Sequence, residues 1–316
     1  MSWGPVSTKN NNSGVRMVRV DADHQGQRVD NFISARLKGV PRSAVYRMIR
    51  TGQVRINGGR CKAVTRLSEG DEVRIPPART RSREDVTVSD QVMQQVEASI
   101  LYEDADLLVL NKPSGMAVHA GSGLPWGLID ALRQNRPAEY CELVHRLDRE
   151  TSGCLVLARN GAALKHLVAQ FRDGLVKKRY LCMMNGQMGE ALIRVDAPLA
   201  KVQAGSRRQV EVVADGKPAL THFHLLQAFQ DCSYAEAELF TGRTHQIRAH
   251  ARSVGMPLAG DELYSSRASL KEWRKRGLKR LFLHAHRLGL NTPSGEAMEF
   301  DAPLPVQLKS VLDSLE

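Results

Sequence analysis

Val144-His145-Arg146-Leu147-Asp148-Arg149-Glu150-Thr151-Ser152-Gly153 sets one carboxylate between two arginines at the mouth of an apolar run. Leu143-Val144 precedes it and Cys154-Leu155-Val156-Leu157-Ala158 follows. Both flanks predict short buried strands, because they are brief, rich in branched residues and bounded by turn signals. Thr151 and Ser152 carry hydroxyls that bond nearby backbone, and Gly153 tolerates φ > 0, so the stretch predicts a tight loop held by rigid strands. Catalytic groups are often placed on such loops. Taken alone, an Asp between two Args in a turn reads as a surface ion pair. The surrounding chain decides between the two readings.

Upstream, Leu107-Leu108-Val109-Leu110 predicts a buried strand running into the Asn111-Lys112-Pro113-Ser114-Gly115 loop. Downstream, Asn160 predicts an N-cap for a helix with Leu164, Leu167, Val168 and Phe171 inward and Gly174 at its end. Lys177-Lys178-Arg179-Tyr180-Leu181 opens another strand, and Ala191 to Glu238 is β-rich. Gly242-Arg243-Thr244-His245-Gln246-Ile247-Arg248 runs into a helix ending at Gly255-Met256-Pro257. A strongly basic run covers Ser269 to Arg280, and a last strand pair surrounds Thr292-Pro293-Ser294-Gly295. Many strands and few helices predict an α+β domain on a large mixed or antiparallel β-sheet over residues 95–316.

Residues 1–17 are polar and predict a disordered tail. Residues 18–77 predict a small separate unit. Val29, Phe32, Ile33 and Leu37 share one helical face, and Val45, Met48 and Ile49 share another, with Gly39-Val40-Pro41 between the helices. A hairpin turns at Asn57-Gly58-Gly59. The polar side of the second helix carries Arg42, Arg47 and Arg50, with Arg55, Arg60 and Lys62 close behind. Residues 78–94 are charged and unpatterned and read as a linker.

The chain has 316 residues, 45 Lys+Arg against 34 Asp+Glu, and a net charge of +11. Such a balance favours polyanions. No stretch approaches the apolar length that membrane spanning requires, which leaves nucleic acid as the expected partner. Five scattered cysteines, with no C-x-x-C pair, suggest neither a disulfide framework nor a zinc site. The histidines (His145; His222 and His224; His245 and His250; His284 and His286) lack the H-E-x-x-H layout, and no phosphate-cradling glycine loop is present. No metal or nucleotide cofactor is expected. Asp148 is the one carboxylate in a recognisable catalytic context, whereas glycoside hydrolysis normally needs two facing each other.

The string H-R-L-D-x-x-T-S-G resembles the active-site signature of the RluA-type pseudouridine synthases, and residues 18–77 resemble the small S4-type RNA-binding domain. N-K-P-S-G with His119, K-x-Y at Lys178 to Tyr180, and G-R-T-H-Q-I-R extend the likeness over nearly the whole chain after the tail. The resemblance implies cofactor-free isomerisation of uridine to pseudouridine in structured RNA by a cytoplasmic enzyme. It makes Asp148 the nucleophile. Arg146 would enter the RNA helix in place of the flipped base. Tyr180 would stack on the uracil and is a candidate for removing the C5 proton, while Leu147 and Ile247 line the pocket. Arg248 would pair with the aspartate; an arginine, always charged and able to bind both oxygens, opposes the pKa rise that burial imposes. Arg42, Arg47, Arg50, Arg55, Arg60, Lys62, Arg243, Lys275 and Arg276 are the expected RNA-binding set. The order of strings, with Leu143 and the Gly121-Ser122-Gly123 loop, resembles most the branch acting on several uridines of 23S rRNA; a sibling branch of equal domain order acts on a different rRNA helix. A monomer is expected. Attack at C1′ and attack at C6 of the uracil stay open, as does a non-catalytic role in ribosome assembly.

Overall fold

The structure, a computed structural model, describes residues 14–37, 40, 42–77, 88–120, 124–204 and 207–315. Gly39, Pro41 and the Gly121-Ser122-Gly123 loop therefore lie outside the described residues, as do 1–13 and 78–87. The chain divides into two compact units between Thr87 and Val88.

In the first unit the helix Val29–Arg36 buries Val29, Phe32 and Ile33, and the helix Arg42–Arg50 adds Val45 and Ile49 to the same core. That is the one-faced packing their spacing requires. A four-stranded antiparallel sheet completes it in the order Arg16–Arg19, Glu72–Ile75, Arg55–Ile56, Gly59–Arg60. Asn57 (φ 49°) and Gly58 (φ 77°) form the two-residue hairpin turn that needs left-handed backbone at both positions. Arg16 and Met17, assigned to the tail, instead pair with Ile75 and Arg74. Their strand is largely exposed and held by backbone bonding, so its side chains leave no apolar pattern to read.

The second unit is built on a ten-stranded mixed sheet. Its path runs Leu192–Asp196, Leu220–Ala228, Cys232–Leu239, Lys177–Asn185, Leu283–Asn291, Ser152–Ala158, Leu107–Lys112, Ile100–Glu103. Ala297–Asp301 and Glu142–Leu143 pair off this path. One pairing is parallel, where His284 and Ala285 meet Ser152 and Gly153. The architecture is the α+β arrangement expected. Ser152–Ala158 is buried along its whole length and alternates between two cores. Leu155 and Leu157 join one, while Cys154, Val156 and Ala158 join the other beneath the helix Gly161–Arg172.

Asn160 caps that helix by accepting from the Ala163 N–H at 2.8 Å. Val168 departs from expectation: it is 42% exposed, one helical step round from the buried Leu167. Residues 88–94, read as linker, contain the start of the helix Asp90–Glu97. Val96 is buried, Val92 and Met93 pack on the same core, and the Val88 N–H donates to Gln134 at 3.0 Å. The apolar residues of this one short helix are too few to stand out against its polar neighbours.

Candidate active site

Asp148 stands on the loop that feeds the Ser152–Ala158 strand, and that loop is tied from behind. The buried Lys112 ammonium donates to the carbonyls of Pro113 (2.9 Å), Met116 (2.9 Å) and Arg149 (3.1 Å). The Ser114 hydroxyl donates to Glu150 O at 2.7 Å, and the Gly115 N–H to Arg149 O at 2.9 Å. The N-K-P-S-G string is thus a cradle for the H-R-L-D turn. Burial pushes Lys112 down to about 7, while its three carbonyl partners favour the charged ammonium. From the loop before the Leu283–Asn291 strand, Arg280 donates to Ser152 Oγ at 2.7 Å, and that hydroxyl also bonds His284 Nδ1, on the strand itself, at 2.9 Å. Gly153 has φ 112°, and a Cβ there would lie 2.2 Å from Ala285 O, so only glycine fits this crossing.

The guanidinium of Arg248, on the helix Gln246–Ser253, is buried and forks onto Asp261 at 2.7 and 2.8 Å. It reaches Asp148 with one nitrogen, at 3.5 Å. The expected pairing of Arg248 with Asp148 is thus one-pronged, and the two-pronged partner is Asp261. Burial opposes the charge on Arg248, but the hydrogen bonds and charge of Asp261 outweigh it and raise the pKa. His245 caps the helix in left-handed backbone (φ 52°, ψ 21°) and brings Nε2 to 3.7 Å from Asp148. Its Nδ1 lies 3.0 Å from the Tyr264 hydroxyl, which accepts from the Val210 N–H. With that hydroxyl donating to Nδ1, the neutral ring carries its proton on Nε2, toward Asp148. Burial lowers the His245 pKa, against the raising effect of Asp148.

These groups open onto a cleft of about 580 Å³ lined by Arg146, Leu147, Asp148, Lys178, Tyr180, Arg243, Ile247 and Arg248 among others. Among the described residues Asp148 is the only carboxylate in that lining, and its side chain is 20% exposed. Leu147, Tyr180 and Ile247 are buried in the wall. Burial pushes the Tyr180 hydroxyl up, with the charge of Asp148 adding to it, so the ring is a phenol at neutral pH. Arg146 is exposed; Arg243 is exposed and donates to Pro218 O at 3.0 Å. His145, in the same string, accepts from the Val156 N–H at 3.0 Å and stacks on Phe171, and burial pushes it down to about 3. It is a neutral structural ring.

The other expected positions divide. In the first unit Arg47, Arg50, Arg60 and Lys62 line one hollow beside the exposed Tyr46. Arg42 donates to Asn31 at 2.8 Å, and Arg55 to the carbonyls of Gly52 and Gly58. In the second unit Lys275 pairs with Glu272 at 3.0 Å, and Arg276 forks onto Asp231 at 2.9 and 2.6 Å. Asp261, Tyr264 and the cradle role of Lys112 went unread in the sequence; an Asp-Glu pair directly after the apolar Pro257-Leu258-Ala259-Gly260 was the available signal. His222, His224 and Glu238 are the one group among the described residues spaced to hold a metal ion. Glu238 also faces Arg179 at 3.9 Å, and none of the three lines the cleft.

Residues 106–253 match the RNA pseudouridylate synthase family, and residues 27–73 match the S4 domain. The chain is 46% identical over 313 residues to the ribosomal large subunit pseudouridine synthase C of Yersinia pestis, covering 97% of this chain and 98% of that protein. The chain belongs to the RNA pseudouridylate synthase family. Likeness to the protein of the same name from Haemophilus influenzae is 44% over 309 residues, with 96% of both chains covered. Among solved structures, the human RNA pseudouridylate synthase domain containing 4 superposes with a TM-score of 0.60 at 26% identity, covering 71% of this chain and 95% of that one. The family match spans the Asp148 loop, the Tyr180 strand and the Arg248 helix together.

Proposed function

We propose that this protein converts several uridines of 23S rRNA to pseudouridine, with Asp148 as nucleophile. One observation carries the chemistry: a single carboxylate, partly open to a cleft, is faced by a buried guanidinium that a second carboxylate holds in place. A reaction that breaks and remakes a glycosidic bond without water can run on one nucleophilic carboxylate. The uridine N1–C1′ bond breaks, the base turns, and C5 bonds to C1′. The C5 proton leaves, N1 takes up a proton, and nothing else is consumed.

Arg248 keeps Asp148 in a positive field without occupying all its lone pairs. Tyr180 stacks on the uracil, and its hydroxyl is the candidate to relay the C5 proton. Leu147 and Ile247 close the wall. The uridine must leave its stack to reach Asp148, and Arg146, exposed at the cleft, fills the gap. Arg47, Arg50, Arg60 and Lys62, with Arg42, Arg55 and Arg243, meet RNA phosphates. The names of the relatives, ribosomal large subunit pseudouridine synthase C, support rRNA as the partner and the cytoplasm as the place of action. No helix among the described residues is long and apolar enough to cross a membrane.

The test is release of tritium from C5-labelled uridine in rRNA, together with pseudouridine mapping of 23S rRNA with and without the protein. Release by the wild type and none by Asp148→Asn is the expected result. Release by a contamination-free Asp148→Asn protein overturns the role of Asp148, and no wild-type release overturns the activity.

A further inference from the structure

The strand Lys177–Asn185 turns Lys178 and Tyr180 to one buried face. Alternate residues on a strand stand about 7 Å apart. Both line the cleft, and Lys178 is only 8% exposed. Among the described residues its ammonium has neither a carboxylate partner nor a hydrogen-bond acceptor, and burial lowers its pKa. The other cleft cations are engaged or exposed: Arg248 forks onto Asp261, Arg172 onto Asp173, Arg243 reaches Pro218 O, and Arg146 faces solvent. A largely buried charge with no partner in the protein, open only to the cleft, is stabilised when an anion arrives there.

Position decides which anion. The charge of Asp148 acts on Tyr180, and the charge of Lys178 acts on His145, the ring stacked on Phe171 in the same cleft wall. Lys178 therefore lines the cleft one alternation along the strand from Tyr180. A uracil held between Asp148 and Tyr180 carries its sugar and backbone phosphate outward, about one sugar's width from the base.

We propose that Lys178 seats the backbone phosphate of the extruded uridine, as a positioning residue that fixes the nucleotide while its base turns. This rests on the reading of the cleft as a pseudouridine synthase site. Once N1–C1′ is broken the base is free to turn, and a fixed phosphate keeps C1′ in place for C5.

The experiment uses a synthetic stem-loop around a uridine that the wild-type protein is first shown to modify. Lys178→Met keeps the length of the side chain and suits a buried wall, and a thermal melt checks its fold. Its kcat/KM is expected to fall about tenfold, mainly through KM. The slope of log affinity against log salt becomes shallower by about 0.7, the signature of one lost phosphate contact. Lys178→Arg keeps the slope. A neutral methylphosphonate at the phosphate beside the target uridine gives the wild type the same loss and adds nothing to Lys178→Met. An unchanged slope, fully additive losses, or a fall in kcat alone would overturn the proposal. A wild type that leaves every stem-loop uridine unchanged would instead overturn the activity on which it rests.

Discussion

Two carboxylates share one guanidinium, and they are held in opposite ways. Asp261 takes both prongs of Arg248, accepts the N–H groups of Leu263 and Tyr264 at 3.0 and 3.2 Å, and is wholly buried. Asp148 meets Arg248 at 3.5 Å and His245 at 3.7 Å, and a fifth of its side chain is open to the cleft. One carboxylate is fully committed to hydrogen bonds; the other keeps lone pairs free. A fully satisfied carboxylate is a poor nucleophile, and a loosely held arginine is a poor positioner. Separating the two jobs between two residues meets both needs.

Substitution breaks the pair most sharply at the open member. Asp148→Asn is expected to lower turnover at least about 10⁴-fold, while thermal stability and RNA affinity stay near wild type. An affinity loss of similar size would show that Asp148 serves binding instead. Asp261→Asn reverses the pattern. It leaves the buried Arg248 with only the 3.5 Å contact to Asp148 as a charged pairing, an imbalance that destabilises by about 3 kcal/mol, which urea unfolding would read. Stability within about 0.5 kcal/mol of wild type, the range of an ordinary surface change, would show that Asp261 is no anchor.

Acid provides a gentler test of the scaffold under Asp148. Burial pushes His145 down to about 3 and His284 down to about 4, so both rings bind protons more weakly folded than unfolded. Between pH 6.5 and 5 the unfolded chain therefore holds more protons, and stability falls as pH falls. The loss is about 1 kcal/mol per pH unit for each ring, in a window above the usual carboxylate range. Flat urea midpoints from pH 7 to pH 5 would contradict this.

The smallest effect extends the same contrast to the basic residues. Arg276 and Lys275 are engaged by Asp231 and Glu272, so Lys275→Gln with Arg276→Gln should leave the salt slope of RNA binding unchanged. Neutralising Arg47 and Arg50, which line the open hollow of the first unit, should flatten it by about one unit or more. If the first pair flattens it instead, an ion pair inside the protein is no guide to what RNA can recruit.

The sequence was most legible where function and chain neighbourhood coincide. Arg146, Leu147 and Asp148 are consecutive, as are Ile247 and Arg248, and the cleft brings these short strings together with Tyr180. Asp261 escaped because its partner lies thirteen residues away and nothing local marks an aspartate as an anchor. Lys112 could be placed on a loop, but its three carbonyl partners exist only once the Asp148 loop folds back over it. Secondary structure failed in the same way: Arg16–Arg19 is a strand because Glu72–Ile75 offers it an edge, and Val168 faces the cleft although its helix spacing suits a core. Pairings set by distant backbone leave little trace in local pattern.

The parallel contact between Ser152-Gly153 and His284-Ala285 sits between the segment that bears Asp148 and the segments that bear Tyr180 and Arg248. The enzyme is thus two half-sites stitched along one seam, and turnover reports whether the stitch is closed. Mild denaturant that parts the seam should silence the enzyme before the circular dichroism of either half declines; simultaneous loss would mean that the sheet opens as a single body.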